Sequence, residues 1–375
     1  MAIALTGCRI FTGTEFLDDH AVLLLGKRIE AVCLRSKITD NFEIIDLNGG
    51  ILAPGFIDVQ VNGGGGALLN DKPTVETVKR IAEAHRKFGT TGLLPTVITD
   101  SADVLSQAIS AVRSARKDLP NILGLHIEGP FIDAAKKGAH DPRFIRMMTE
   151  DDVAQIQKCD CGAVMLTVAP NAVSAQFIRD LTQAGVFVSL GHSEATFKQA
   201  NEALAAGASA FTHLFNAMSQ MSGREPGMVG AALDDSRSFI GIIADGFHVD
   251  DAVLKIALAA TSLDRFMLIS DAMPSAAGGP REFLLQGRTV NLKVGRLTLR
   301  NGTLAGSNLT MDEAVRYSVK HLGISLAHGL RMASLNPARF LRADHELGRI
   351  EAGYLGSIVH LDQSLHVQNT WVEGT

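Results

Sequence analysis

Histidines, carboxylates and amides follow short apolar runs at several points of this sequence, as expected where strands end at an active site. The clearest examples are Gln60-Val61-Asn62, His126-Ile127-Glu128, Gly191-His192-Ser193, Thr212-His213-Leu214 and Ser270-Asp271-Ala272. One carboxylate and two imidazoles brought together supply three ligands for a divalent cation and leave a position open for water. Asp271, if it lies opposite, can take the proton from that water. The combination predicts metal-assisted hydrolysis.

Each of these residues taken alone also has an ordinary structural explanation. A lone histidine at a strand end is more often a hydrogen-bonded structural residue than a ligand, and a lone aspartate is usually a cap or turn residue. His126 lies two positions before Glu128 and therefore points to the same side of its strand. The histidines in helix-like or connecting stretches are predicted to be structural or solvent-facing; these are His85, His321, His328 and His345.

Eight short apolar runs alternate with longer, mostly amphipathic segments, which indicates an α/β fold with a parallel sheet. Eight such units favour a closed (β/α)₈ TIM-like barrel, with an open doubly wound sheet as the alternative. The segment from Thr74 to Phe88 is predicted to be a helix, with Thr74 as its cap and Gly89 as its stop. The predicted strands are Phe56–Val61, Gly92–Thr99, Ile122–Ile127, Ala163–Val168, Val186–Leu190, Ala208–His213, Phe239–Ala244 and Arg265–Ser270.

The two ends of the chain have a different, strand-like pattern. Ala21–Leu25 and Arg28–Cys33 flank Gly26-Lys27 as two hairpin strands flank a tight turn. The stretch from Leu347 to Thr375 returns to short β-like runs, and we expect it to pair with the first fifty residues. The termini are therefore predicted to form one small β module beside the barrel.

Composition excludes several classes of protein. The chain has 375 residues, of which 46% are hydrophobic and 20% charged, so disorder and coiled coil are poor interpretations. The net charge of -5 and the absence of a Lys/Arg run argue against nucleic-acid or membrane-surface partners. No apolar window is long enough to span a membrane and no secretory signal is visible. The four cysteines form no CxxC pair, so we expect free thiols in a cytoplasmic protein.

Seven stretches in order resemble those of the amidohydrolase superfamily and, within it, the N-acetylglucosamine-6-phosphate deacetylase family. They cover most of the chain, and no single one is specific. The resemblance implies a barrel over residues 53–344 and a small β-sandwich built from residues 1–52 and 345–375. The stretches begin at Pro54-Gly55-Phe56, His126-Ile127-Glu128, Gly191-His192-Ser193, Thr212-His213-Leu214, Gly223-Arg224-Glu225, Ala244-Asp245-Gly246 and Leu304-Ala305-Gly306.

The resemblance also implies a role for each matching residue. Glu128, His192 and His213 would bind the metal, Asp271 would be general base and then acid, and His140 would polarise the acetyl carbonyl. A phosphorylated amino sugar would contact Ala139, His140, Asn216, Ala217, Arg224 and His248, with Leu304, Ala305 and Gly306 lining its acetyl or sugar side. Arg224 suits a phosphate because a guanidinium matches phosphate oxygens, and it would serve either its own or a neighbouring subunit's site.

The first barrel strand departs from the pattern of many amidohydrolases. Where those proteins carry His-x-His, which helps bind a second metal, this chain has Gln60 and Asn62. Carboxamides are poor zinc ligands, so we predict one divalent ion per subunit. Zinc is the first choice, with iron or cobalt as alternatives, and the resemblance implies a homodimer or homotetramer.

Three functions stay open on the sequence. The first is hydrolysis of the acetamide of N-acetyl-D-glucosamine 6-phosphate in amino-sugar catabolism. The second is an amidohydrolase of other specificity, acting on N-acetylgalactosamine 6-phosphate or a cyclic amide. The third is a non-catalytic amidohydrolase-like scaffold, which the presence of Asp271 and all three proposed ligands disfavours.

Overall fold

A parallel sheet of eight strands forms the centre of the protein, a computed structural model of which describes residues 2–375. Each strand pairs with the next along the chain. The two edges meet where Val61 bridges Ala272 and the Asp271 amide donates to the Gln60 carbonyl at 2.9 Å. These contacts close the sheet, which confirms the α/β barrel over the open sheet. The strands are Phe56–Val61, Thr90–Ile98, Gly124–Glu128, Ala163–Val168, Phe187–Leu190, Ala210–Phe211, Phe239–Ile242 and Phe266–Leu268.

Helices follow the barrel strands and pack their apolar faces against the sheet. The predicted helix after Thr74 is confirmed: Thr74 Oγ1 accepts from the Thr77 amide at 3.3 Å, and Gly89 follows with a φ of +86°. Val78 and Ile81 are buried on its inner face. The helices are Val75–Arg86, Ala102–Ala115, Glu150–Gln157, Ala175–Gln183, Phe197–Ala205, Gly227–Asp234, Asp251–Ala260, Met311–Lys320, Leu326–Ala333 and Leu335–Phe340, with 3₁₀ turns at Arg35–Lys37, Ala134–Lys136 and Leu263–Arg265.

Both ends of the chain contribute to two further sheets. The predicted hairpin is confirmed as His20–Leu25 and Arg28–Leu34, in a sheet with Ala2–Thr6 and Glu43–Asp46. The second sheet joins the C-terminal strands to the N-terminal ones in the order Val367–Trp371, Ile358–Leu361, Ile51–Pro54, Arg9–Phe11 and Phe16–Leu17. The two sheets share a buried aliphatic core that includes Leu5, Val22, Leu52 and Ile358.

This shared core is why the terminal segments make one β-sandwich, as expected. The strand Ile51–Pro54 runs across residue 52, where the sandwich was expected to end and the barrel to begin. The division into residues 1–52 with 345–375 and 53–344 remains a prediction.

A small three-stranded sheet was not anticipated from the sequence. It consists of Glu282–Leu285, Arg288–Lys293 and Arg296–Leu299, and it lies in the chain between the eighth barrel strand and the helix Met311–Lys320. Both of its turns place a residue and the following glycine at positive φ, Gln286-Gly287 and Val294-Gly295. Two successive positive φ values are typical of the tight turns that match strand twist. A short strand pair, Gly63–Gly64 with Ala67–Leu68, follows the first barrel strand.

The sixth barrel strand is shorter than predicted. The apolar run suggested Ala208–His213, but only Ala210–Phe211 is extended in the sheet. His213, Phe215 and Ala217 have positive φ values of 33°, 75° and 48°, so the backbone turns away at this point. The strand therefore ends where the candidate site begins.

Among residues 2–375, no helix combines the length and hydrophobicity needed to cross a membrane. All four cysteines are free thiols, as expected. Cys159 Sγ and Cys161 Sγ lie 3.0 Å apart just before the fourth barrel strand.

Candidate active site

The candidate ligands and base lie at the carboxyl ends of barrel strands, and three of the four have a backbone conformation that non-glycine residues seldom adopt. His192, His213 and Asp271 have positive φ values of 48°, 33° and 51°. Such a conformation costs a non-glycine residue roughly 1–3 kcal/mol and persists where the surroundings enforce it. The strained turns aim all three side chains into one cavity at the barrel mouth.

Glu128, His192 and His213 form a compact buried cluster. Glu128 Oε1 lies 3.1 Å from Nε2 of each histidine, and the two Nε2 atoms are 3.0 Å apart. Burial opposes ionisation of Glu128, but the neighbouring His192 and His213 hold its pKa well below the usual range. One carboxylate oxygen and two imidazole nitrogens this close together suit a divalent cation that accepts nitrogen and oxygen ligands.

The orientation of His192 supports this fit. Its Nδ1 lies 2.8 Å from the Lys136 carbonyl, which can only accept, so the proton resides on Nδ1. Nε2 is thereby left with a lone pair directed at Glu128 and His213. Histidines that bind metals commonly donate their other ring nitrogen to a carbonyl in this way. His213 Nδ1, in contrast, is buried without a protein partner among residues 2–375.

His140 is the third histidine beside Glu128. Potential ligand atoms of Glu128, His140 and His192 all lie within 4.8 Å of one another. His140 Nδ1 is 2.7 Å from Thr99 Oγ1, and burial followed by the nearby His192 lowers the pKa of His140 to about 3. The ring is therefore neutral at physiological pH. With one nitrogen bonded to Thr99, the other can face a group in the cavity.

Asp271 lies opposite this cluster and is held by the two amides of the first strand. Asn62 Nδ2 donates to Asp271 Oδ1 at 2.6 Å, and Gln60 Nε2 donates to the same oxygen at 3.2 Å. Gln60 Nε2 also lies 3.1 Å from both carboxylate oxygens of Glu128. Burial first, and the charge of Glu128 second, raise the pKa of Asp271 to about 6. In this chain the first-strand positions therefore orient carboxylates by donating hydrogen bonds.

A cavity of about 340 Å³ encloses these groups. Most residues singled out from the sequence line it, namely Asn62, Glu128, Ala139, His140, His192, His213, Asn216, Ala217, His248, Asp271, Leu304, Ala305 and Gly306. Gln60 is fully buried and reaches the site only through its bonds to Glu128 and Asp271. His248 is oriented by Asp245, whose Oδ2 lies 2.7 Å from His248 Nδ1.

Arg224 is the predicted substrate contact that the structure does not bring to the cavity. It lies on the exposed surface in the loop before the helix Gly227–Asp234, and it is absent from the cavity lining. Its proposed phosphate contact stays a prediction, and a site on a neighbouring subunit is compatible with this position.

His126 belongs to the barrel interior below the site. Its Nδ1 lies 3.2 Å from Thr96 Oγ1 and its Nε2 lies 2.8 Å from Thr167 Oγ1. Both ring nitrogens are thus engaged, and His126 does not line the cavity. His85, predicted to be structural or exposed, is buried with Nε2 at 2.9 Å from the Gly63 carbonyl.

Several site residues could not be found from the sequence. Lys136 and Thr99 position histidines, and the apolar side chains of Ile98, Met273 and Leu285 line the cavity. The Lys136 contact is made by a backbone carbonyl, which leaves no mark on residue type. Thr99 did end a predicted strand, so its place at the barrel mouth was the one available signal.

A closed barrel with a Glu-His-His cluster opposite a buried aspartate defines a metal-dependent hydrolase of the amidohydrolase type. The comparison with known families agrees, since the profile described as "Amidohydrolase family" matches residues 51–375 and that described as "NagA composite domain" matches residues 3–52. The chain belongs to the amidohydrolase family.

Individual relatives narrow the position within that family. The chain is 42% identical to N-acetylgalactosamine-6-phosphate deacetylase of Shewanella sp. (strain ANA-3), over 88% of this chain and 83% of that protein. It is 38% identical to N-acetylglucosamine-6-phosphate deacetylase of Haemophilus influenzae, over 100% and 99% of the two chains. The crystal structure of N-acetylglucosamine-6-phosphate deacetylase from Pasteurella multocida superposes with a TM-score of 0.97 at 36% identity, covering 100% of this chain and 99% of that one.

Proposed function

We propose that this protein hydrolyses the acetamide of N-acetyl-D-glucosamine 6-phosphate to D-glucosamine 6-phosphate and acetate. The observation that carries the proposal is the buried Glu128–His192–His213 cluster facing Asp271 inside one cavity. The names of relatives that share nearly the whole chain supply the substrate class. Such an enzyme would act in amino-sugar catabolism.

Glu128, His192 and His213 would hold one divalent cation. When bound, such an ion lowers the pKa of water and polarises a carbonyl group. His140 is the remaining histidine of the cluster. Its Nδ1 lies beside the Thr99 hydroxyl, which unlike the carbonyl at His192 can donate a hydrogen bond, and this supports the role of carbonyl donor for Nε2. For that role the Thr99 hydroxyl must donate to Nδ1 and leave the proton on Nε2.

Asp271 would carry the proton through the reaction. Its carboxylate takes a proton from water as the water oxygen bonds to the acetyl carbon. It then returns the proton to the amide nitrogen as the carbon–nitrogen bond breaks, which gives acetate and the free amine. Because Asn62 and Gln60 both donate to Oδ1, Oδ2 is the oxygen left to handle the proton.

The polar side of the cavity would receive the sugar phosphate. His248 has Nδ1 bonded to Asp245, which leaves Nε2 for a ligand, and Asn216 and Ala217 lie in the turn after His213. Arg224 is proposed as a further phosphate ligand. Arg224→Ala should lower kcat/KM for the phosphorylated sugar by roughly 10- to 150-fold, the scale of a charge-assisted hydrogen bond, and hardly change use of N-acetylglucosamine.

A second candidate substrate is N-acetyl-D-galactosamine 6-phosphate, favoured by the identity to the Shewanella protein of that name. Acetate release from both sugar phosphates, at matched concentration and with metal analysis of the same preparation, tests the proposal and separates the candidates. Activity on neither sugar phosphate, with the cation present, would overturn the proposal.

The proposal includes the nature of the holoenzyme. Zinc is the preferred ion, with iron or cobalt as alternatives, because two imidazoles and a carboxylate accept all three. We propose a homodimer or homotetramer, in which the exposed Arg224 would serve a neighbouring subunit's site, and the free thiols support a cytoplasmic location. Elemental analysis and native mass spectrometry measure the ion and the subunit number.

A further inference from the structure

The cavity has two unlike walls. The apolar wall consists of Ile98, Met273, Leu285 and Ala305, which belong to one hydrophobic cluster with the inner face of the three-stranded sheet. Three polar lining residues that do not belong to this cluster, Lys136, Asn216 and His248, are here called the polar wall. A ligand with one apolar end and one charged end would therefore bind in a single orientation.

The apolar wall adjoins the groups proposed to act on the carbonyl. Met273 lies two residues after Asp271, and the Ser307 amide donates to the Asp271 carbonyl while the Met273 amide donates to that of Ser307, both near 3.0 Å. On the other side, Ala139 packs against the same cluster and precedes His140. An acyl carbonyl placed between Asp271 and His140 would direct its alkyl chain towards this wall.

The polar wall is connected to a different part of the site. Asn216 lies in the turn that begins at His213, and its Nδ2 donates to the His213 carbonyl at 3.1 Å. His248 offers a ring nitrogen, and Lys136 offers an ammonium group that is paired with Glu194 at 2.9 Å. These groups suit a phosphate, whereas the apolar wall offers it no hydrogen bond.

We propose that Leu285 determines the length of acyl chain that the enzyme removes. This inference rests on the proposed function and extends it to the acyl side of the substrate. The Leu285 side chain is fully buried, lines the cavity and comes from the three-stranded sheet. In this proposal it closes the end of the acyl subsite. An acetyl methyl would fit against it, whereas each added methylene would meet the leucine.

The sheet that carries Leu285 is fixed over the cavity by hydrogen bonds on both sides of its first turn. Gln286 Nε2 donates to the Thr99 carbonyl and to Asp100 Oδ2, each at 2.8 Å. Arg288 Nη2 donates to the Ala139 carbonyl at 2.5 Å. Because these bonds tie the turn after Leu285 to the end of the second barrel strand and to the residue before His140, the wall cannot easily move aside for a longer chain.

The test compares N-acetyl-, N-propionyl- and N-butyryl-glucosamine 6-phosphate as substrates of the metal-loaded protein. We expect kcat/KM of the parent to fall by roughly tenfold or more from acetyl to butyryl, the scale of a methylene in a closed pocket. Leu285→Ala should reduce this ratio at least about tenfold. Leu284→Ala is the matched control, because Leu284 is the preceding residue on the same strand and is 58% exposed; its ratio should equal that of the parent.

Three results would overturn the proposal: a parent that uses butyryl and acetyl equally well, a Leu285→Ala ratio equal to that of the parent, or an equal change in Leu284→Ala. Thermal unfolding shows whether Leu285→Ala folds; if it does not, Leu285→Val decides, with a smaller change expected in the same direction. The failure of the proposed function is a separate outcome, since the parent would then release no acid from any of the three sugars.

Discussion

Two layers of polar side chains lie one above the other inside the barrel, and they differ in how completely the protein satisfies them. The lower layer is a chain of hydrogen bonds from Thr96 through His126, Thr167 and Thr212 to Ser189, with three of its four links at 2.7–2.8 Å. Among residues 2–375 none of its side-chain polar atoms lacks a partner. The polar groups of the lower layer therefore satisfy one another's hydrogen bonds and need no ligand.

The upper layer contains the candidate site and has buried polar atoms without protein partners. They are Gln60 Oε1, Asn62 Oδ1 and His213 Nδ1. Leaving a buried polar atom unpaired costs roughly 1–3 kcal/mol, so a folded protein seldom keeps several together unless a ligand or water meets them. His126 and Glu128 illustrate the difference. They lie two residues apart on one strand, but His126 belongs to the fully hydrogen-bonded lower layer and Glu128 to the upper layer, where some polar atoms have no protein partner.

The largest expected effect concerns the metal ligands of the upper layer. Glu128→Gln should lose nearly all bound metal and nearly all turnover, because a neutral amide is a poor ligand and leaves two histidines. Elemental analysis should find about one divalent ion per subunit in the parent and far less in the variant. Two tightly held ions, or full activity after chelation, would contradict the site described above.

Loss of the proposed base should be nearly as severe but should spare the metal. Asp271→Asn is expected to lower kcat by roughly 10² to 10⁴ while metal content stays at the parent level, because a carboxamide cannot take a proton. Because protonated Asp271 cannot act as a base, kcat of the parent should also fall at acid pH. Burial and Glu128 raise the pKa of Asp271 to about 6 without a cation, and a bound cation lowers that pKa, so the fall should be centred below pH 6. Near-parental turnover of the variant would assign Asp271 to a structural role.

Asp58 provides a test of stability at the floor of the barrel. Burial raises the pKa of Asp58 to about 7 from 3.8, so the folded state holds a proton that the unfolded state releases. Stability should therefore decline as the pH rises from 4 to 7, by as much as about 4 kcal/mol. Asp58→Asn should remove this decline, and urea unfolding at pH 5 and pH 8 should capture about 3 kcal/mol of it in the parent. Parallel losses in parent and variant would refute the assignment.

The smallest effect is expected in the lower layer, where function and stability should separate. Thr167→Val removes the hydroxyl that joins His126 to Thr212, at a cost of roughly 1–3 kcal/mol in unfolding free energy. Its kcat should stay within about threefold of the parent, because the residue lies outside the cavity lining. A large fall in kcat at unchanged stability would show that the lower layer contributes directly to catalysis in the upper layer.

Sequence reasoning predicted the grouping of those residues whose type itself suggests chemistry. The strand ends displayed Glu128, His192, His213 and Asp271, and the structure brings all four together in one cavity. Sequence reasoning predicted few of the contacts between residues that are far apart in the chain. Leu285 enters the cavity from a sheet whose turns were not recognised, and an aliphatic residue in a hairpin resembles any other.

The roles of Gln60 and Asn62 were visible only in part. Their residue types argued against a second metal. Their hydrogen-bond partners, however, are set by the fold, which places the first strand beside Glu128 and Asp271. Arg224 is the opposite case, since its residue type suggested a phosphate contact but the fold places it on the surface outside the cavity lining. The barrel itself could be predicted because each strand pairs with its neighbour in the sequence.

The Lys136 carbonyl that orients His192 affects which sequence changes the site can accept during evolution. A backbone oxygen persists through every change of side chain, so His192 keeps this bond whichever residue stands at position 136. Lys136→Ala would remove the ammonium group but leave the carbonyl that orients the ring. An inserted or deleted residue in this turn would move the carbonyl itself, so the length of the segment is under stricter constraint than its composition.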